Sequence, residues 1–278
     1  MPIPYDEDLV RRFRQAKRIT TPHDQGGFTV DLDTTVPYLV TAIHAGHNVR
    51  EELLPLMQLS EEERRFEEDT ATDRIIAGCA STISAQDSRS EYDLNRPPDL
   101  ALPLTPERFW GVTVYHTLPD DAMNRRSLEK HAAFYRFVGS YLQVLLEHFG
   151  YCVVYDIHSY NISRQVEKGF AEPPVFNLGT ALLDMSRWGN AVNAWLDQLR
   201  VIRTPDGPVS VAENLVFEGK GELCRALTDW DPNILVLPTE ISKVYMNEHT
   251  GVVDAHCVAA LAEGLDRAIT RHCDAMCH

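Results

Sequence analysis

The sequence is bounded first by what it lacks. No stretch approaches the ~20 consecutive apolar residues that a membrane-spanning helix requires, so no membrane association is expected. Positive charge is scarce: 26 Lys and Arg stand against 41 Asp and Glu, giving a formal net charge of -15. Without a basic cluster to grip phosphates, a general nucleic-acid binder is excluded. The six cysteines (Cys79, Cys152, Cys224, Cys257, Cys273 and Cys277) form no C-x-x-C pairs, and MPIPYDEDLVRRFRQ at residues 1–15 lacks the apolar heart of a secretory signal. Reduced thiols and a cytoplasmic location are expected. The tail HCDAMCH offers chelating groups, but chain ends fray too readily to hold a catalytic ion. Internal repeats and low-complexity tracts are also missing.

What is present is ample core material, with 44% hydrophobic residues in 278. Apolar strand-like runs alternate with amphipathic helical segments, which predicts an α/β fold: a mixed, mostly parallel sheet flanked by helices, in one domain spanning 1–278. VPYLVTAIHAGH (36–47) reads as a buried strand ending in polar residues. SEEERRFEEDTATDRIIAGCAS (60–81) reads as a helix, with Ser60 and Glu63 spaced as a capping box. SLEKHAAFYRFVGSYLQVLLEHFG (127–150) has helical apolar spacing and a terminal Gly150, and it leads directly into a strand over 151–158. LDMSRWGNAVNAWLDQL (183–199) predicts a helix, DPNILVLPTEIS (231–242) a strand, and the Pro/Gly-rich piece 203–222 a loop or hairpin.

The stretch VVYDIHSYN (153–161) directs the functional reading, because an apolar strand there takes on Asp156 and His158. Side chains alternate along a strand, so these two project to one face. His44, His158 and Glu240 each follow an apolar run, and in open α/β sheets ligand sites form at the carboxyl ends of such strands. Two imidazoles and a carboxylate with one open position make the ligand set of a catalytic zinc ion, although N/O donors also accept other divalent metals. The carboxylate is sought in EEDTATDRII, where Asp69 and Asp73 lie at i, i+4; either can be the ligand. Asp156 is placed to orient a ligand histidine, or simply to cap its strand end. Glu240 is the candidate general base, taking a proton from the zinc-activated water and passing it to the leaving nitrogen. Arg89, Asn95 and Arg96 in QDSRSEYDLNRPPD are candidate substrate anchors, since the guanidinium fork matches a carboxylate. Asn214 in VAENLVFEGKGE is a weaker candidate for an amide contact.

These segments resemble one family. IHAGHNVREELLP looks like its P-H-S-G segment, EEDTATDRI resembles the aspartate segment that follows, and SRSEYDLNRPP is similar to S-R-x-x-x-D-L-N-R-P-P. KHAAFYRFVGSYLQVLLEHFGYCVVYDIHS resembles the helix leading into D-C-H-S, and LPTEISKVYMNE the late E-x-x-R-x-x-Y-M segment. The likeness to the N-formylglutamate amidohydrolases runs in order from about residue 36 to 248. It implies a zinc-carboxypeptidase-like (phosphorylase/hydrolase-like) fold and hydrolysis of N-formyl-L-glutamate to formate and L-glutamate in histidine breakdown. It further implies His44, Asp69 and His158 as metal ligands, with Asp73 in reserve, Glu240 as base, and Arg89, Asn95 and Arg96 on the substrate carboxylates. Asn214 falls at the family's Asn before an aromatic and a Gly pair. Ile43, Ala45 and Lys243 depart from the Pro, Ser and Arg of the pattern, which leaves the acyl and amino-acid halves of the substrate open. A deacylase or carboxypeptidase-like hydrolase acting on another N-acyl amino acid or a peptide, or a non-catalytic ligand-binding relative, are the alternatives.

Overall fold

The computed structural model describes residues 3–21 and 27–276. In chain order the elements are α1 (Glu7–Gln15), β1 (Arg18–Thr21), β2 (Phe28–Asp33), β3 (Tyr38–Ala42), α2 (Glu61–Glu67), α3 (Thr72–Ile76), β4 (Thr82–Ala85), α4 (Asp121–Phe149) and β5 (Cys152–Tyr160). They continue with α5 (Ile162–Glu167), β6 (Phe176–Leu178), α6 (Met185–Arg200), β7 (Arg203–Thr204), β8 (Gly207–Pro208), β9 (Val211–Glu213), α7 (Glu222–Trp230), β10 (Ile234–Ser242) and α8 (Ala255–Met276). Eight strands form one sheet in the order β1-β2-β4-β3-β5-β10-β6-β9. Its centre, β4-β3-β5-β10, is parallel throughout, whereas β1, β2 and β6 run antiparallel to their inner neighbours.

Alternation along β5 and β10 separates two cores. Odd residues Val153, Tyr155, Ile157, Leu235, Leu237 and Ile241 pack with Trp195, Leu199, Leu261 and Leu265 of α6 and α8. Even residues Cys152, Val154, Ile234 and Val236 pack with Phe134, Val138, Leu142, Leu223 and Leu227 of α4 and α7. The even face then turns polar: Asp156, His158 and Glu240 continue it toward the carboxyl edge. An apolar strand therefore delivers ionisable groups to a fixed place.

The local predictions fare unevenly. α4 ends at Gly150, whose φ of 77 caps it in the left-handed region, but it begins at Asp121 because the Asp120 carboxylate accepts from Met123 N. The Pro/Gly-rich piece 203–222 holds the β7-β8 hairpin and also the sheet-edge strand β9. The single helix expected over 60–81 is two. Ser60 and Glu63 do form the capping box of α2, but the chain leaves the helix at Glu68 and Ala71 takes a φ of 67. Asp69 N donates to His44 O (2.9 Å), and Thr72 Oγ1 donates to Asp69 O (2.7 Å). A hydrogen bond to the β3 end thus replaces the helical one, and Asp69 and Asp73 do not share a helical face.

Candidate functional site

The carboxyl ends of the four parallel strands meet in one pocket of about 490 Å³. His44 lies two residues past β3, His158 and Glu240 face each other in register on β5 and β10, and Asp93, Asn95 and Arg96 come from the loop after β4. Asp69, from the break between α2 and α3, completes a buried triad with His44 and His158. The separations are 3.1 Å between the two histidine Nδ1 atoms, 3.3 Å from His158 Nδ1 to Asp69 Oδ2, and 3.5 Å from His44 Nδ1 to Asp69 Oδ2. Asp73 does not line the pocket.

Carboxylates behind the imidazoles settle which nitrogen faces which way. His44 Nε2 is 2.8 Å from Asp93 Oδ1, and His158 Nε2 is 2.9 Å from Asp156 Oδ2. A carboxylate can only accept, so each Nε2 carries a proton and both Nδ1 atoms turn toward Asp69. Thr41 Oγ1 donates to the other oxygen of Asp156 at 2.6 Å, and Arg89 Nη2 donates to Asp93 Oδ2 at 2.8 Å. Asp156, which the sequence nominates as an orienting group, lies within hydrogen-bonding distance of His158, and Asp93, which was not foreseen, stands in the same relation to His44. The sequence signals of Asp93 are a carboxylate four residues after Arg89 and its place as the D of the D-L-N-R-P-P segment.

Electrostatics follow from the packing. Burial opposes ionisation of Asp69, but hydrogen bonds from His158 and His44 outweigh it and hold that carboxyl below its ordinary range. For Asp93, burial is likewise outweighed by Arg89 and His44. Burial would lower the His158 pKa, yet Asp156 and Asp69 raise it well above that of a free imidazole. Glu240 is pushed up to about 8, chiefly by burial, with His158 opposing and Asp69 and Asp156 adding to the rise. Lys243 is pulled down to about 8 by burial.

The candidate anchors do not all reach the pocket. Arg89, Asn95 and Arg96 line the pocket. Arg89 lies 4.0 Å from the ring centroid of Trp110 and Arg96 6.0 Å, so an aromatic residue at the pocket rim, absent from the sequence reading, stacks both guanidinium groups. Asn95 Oδ1 accepts from Leu223 N (3.1 Å), which ties the loop after β4 to α7. Asn214 is a correction. It does not line the pocket, and its amide is engaged at both ends, Oδ1 accepting from Thr180 N (2.8 Å) and Nδ2 donating to Thr180 Oγ1 (2.7 Å). It holds the base of the 215–221 wall instead, where Gly219, with a φ of 76, packs against Gly179. The C-terminal tail supplies no metal site among the described residues: both nitrogens of His272 are taken, by Tyr155 OH (2.6 Å) and Ala191 O (2.8 Å). Cys277 and His278 lie outside the described residues.

Fold and site together define a mixed α/β protein with a candidate metal centre at the carboxyl edge of its parallel strands. The model of the N-formylglutamate amidohydrolase family matches residues 36–246, and the chain belongs to that family, one of hydrolases acting on an amide. Among solved structures, the N-formylglutamate amidohydrolase from Ralstonia eutropha is 20% identical and superposes with a TM-score of 0.71, covering 90% of this chain and 97% of that one. A gene product of Agrobacterium tumefaciens is 18% identical, with a TM-score of 0.66 and coverage of 91% and 96%. At these identities the likeness establishes the shared fold. No curated protein sequence matches the chain.

Proposed function

We propose that the protein is a metal-dependent amidohydrolase that hydrolyses N-formyl-L-glutamate to formate and L-glutamate. The observation that carries this reading is the His44, Asp69, His158 triangle. Three donors each about 2.0–2.2 Å from one ion at tetrahedral angles lie roughly 3.3–3.5 Å apart, and the observed edges are 3.1, 3.3 and 3.5 Å. Two imidazole lone pairs and a carboxylate oxygen turned toward one another repel unless a cation or a proton lies among them, so the donor set fits zinc or a similar divalent ion. Such an ion supplies Lewis acidity, polarising an amide carbonyl and making water a nucleophile near neutral pH.

The chain's own groups divide the remaining work. Asp93 and Asp156 fix the two imidazoles in the ligating orientation. Glu240, opposite His158, accepts the proton of the attacking water and delivers it to the amide nitrogen as the C–N bond breaks. Arg89 and Arg96, stacked by Trp110, hold a substrate carboxylate with Asn95 beside them. A cytoplasmic setting is supported by the buried thiols of Cys79, Cys152, Cys224 and Cys257, and a single hydrolase domain by one sheet carrying both large cores.

The test is formate release from N-formyl-L-glutamate together with zinc content. Wild type is expected to release formate, whereas Glu240→Gln keeps its zinc and loses most turnover; full activity in that variant would remove Glu240 from the mechanism. A second reading, hydrolysis of a bulkier N-acyl amino acid, is favoured by the cavity of about 490 Å³, which has room beyond a formyl group. N-acetyl and N-succinyl substrates in the same assay separate the two.

A further inference from the structure

One pair of pocket residues has no part in the chemistry above. Lys243, just past β10, is 2% exposed, and its ammonium donates to Phe66 O at 2.8 Å. Asn161, just past β5, is 6% exposed, and its Nδ2 donates to the same carbonyl at 2.9 Å. A carbonyl can only accept, so this bond fixes the Asn161 amide, and its Oδ1 is left buried without a partner. Lys243 has three donors, and among the described residues only Phe66 O is shown accepting from it. Its ring neighbour, Phe66, is 5.8 Å away, and Arg164, which also lines this wall, is committed to Glu67.

A packing role alone explains neither atom. An ammonium buried with one acceptor is poorly compensated, and a buried amide oxygen without a donor is a defect in a structural residue. Both make sense as halves of a recognition site. The ammonium calls for an anion, and the adjacent amide oxygen calls for a donor and repels a second anion. A ligand must therefore present a carboxylate and, next to it, an N–H.

We propose that Lys243 and Asn161 form a second recognition subsite, in which Lys243 Nζ binds the α-carboxylate of an N-acyl amino acid and Asn161 Oδ1 accepts the N–H of the amide to be cleaved. This rests on the amidohydrolase reading and deepens it. The carboxylate and N–H sit on one α-carbon, so both contacts are reached by a single fragment. Arg89 and Arg96 are then left for the second carboxylate of N-formyl-L-glutamate, so the two acidic groups of one ligand are held at separate subsites. Asn161 thereby becomes a positioning residue, which orients the scissile bond toward the triad by holding the N–H.

The test is a comparison of ligands, read by calorimetric binding as well as by turnover. Three ligands are used, N-formyl-L-glutamate, its α-carboxamide and N-formyl-L-glutamine, with the zinc-loaded wild type, Lys243→Met, Lys243→Arg and Asn161→Leu. A charge-assisted hydrogen bond of about 1.5–3 kcal/mol corresponds to roughly a tenfold to hundredfold loss. Lys243→Met is expected to weaken N-formyl-L-glutamate and N-formyl-L-glutamine by that factor in Kd or KM, yet leave the α-carboxamide unchanged from wild type. Lys243→Arg should restore most of the loss, which guards against a merely misfolded Met variant. Asn161→Leu should weaken all three ligands, since each retains the N–H, but should bind a fourth, N-formyl-N-methyl-L-glutamate, which lacks it, as wild type does. Equal losses for the methylated and unmethylated ligands would mark Asn161 as structural and overturn its part of the proposal. Equal losses for the α-acid and the α-carboxamide would mark Lys243 as structural and overturn the proposal, as would sensitivity to the side-chain amide instead. If wild type releases no formate but binding follows the expected pattern, the subsite stands and the hydrolytic reading falls.

Discussion

Replacing Glu240 by glutamine should make the metal-free protein more stable, even as it removes the base. In the unfolded chain this carboxyl titrates near its ordinary value of 4.5, whereas in the folded protein burial carries it to about 8. Between those values the unfolded state releases a proton that the folded state retains, so stability falls as pH rises. Each unit is worth about 1.4 kcal/mol, which makes the penalty about 3 kcal/mol at pH 7 and under about 1 kcal/mol at pH 5. Glu240 is only partly buried and faces the pocket, so these figures are upper bounds. Glutamine keeps the shape and removes the titration. Urea unfolding of chelator-treated wild type and Glu240→Gln at pH 5, 6 and 7 should give curves that nearly coincide at the lowest pH and separate in favour of glutamine as pH rises. Saturating zinc should narrow the gap, because a cation in the triad favours the ionised carboxyl. Parallel pH slopes for the two proteins, or a wild type that is the more stable at pH 7, would refute the argument that the protein stores an energetic cost in its base.

Three further outcomes follow from the geometry. With free zinc at a hundredfold excess over its Kd, wild type should gain about 2.7 kcal/mol against unfolding, and Asp69→Asn, which weakens one corner of the donor triangle, should gain little; equal gains in calorimetric melts would place the metal elsewhere. Trp110→Ala removes the ring on which Arg89 and Arg96 stack, and a loss of about 1–2 kcal/mol predicts a KM some 5- to 30-fold higher with kcat largely kept, which steady-state kinetics on a carboxylate-bearing substrate would show or deny. Gly219→Ala must force a side chain into the left-handed region and against Gly179, so denaturant unfolding should register a loss of about 2 kcal/mol or more, and an unperturbed midpoint would mean the wall of the pocket is freer than its packing indicates.

Much of this protein is written locally. The alternation in VVYDIHSYN suffices to place Asp156 and His158 on one face, because a strand has a period of two whatever surrounds it. The same holds for the apolar runs that made β3, β5 and β10 predictable, and for the capping box at Ser60, which closes within four residues. His44, His158 and Glu240 were legible as strand-end residues for that reason. What no local rule could supply was the partner of each. Asp69 reaches the histidines because its N–H leaves the helical pattern to bond His44 O, so the reading of 60–81 as one helix failed at the very residue that mattered. Asp93 lies 49 positions from His44, and Lys243 and Asn161 meet only through the carbonyl of Phe66, far away in the chain. Periodicity and capping are short-range, so the residue types at the strand ends could be read from the chain alone. Which of them touch, why Asn214 stays out of the pocket and how Trp110 comes to its rim followed from the assembled sheet, because contacts between distant segments depend on the order in which strands join it.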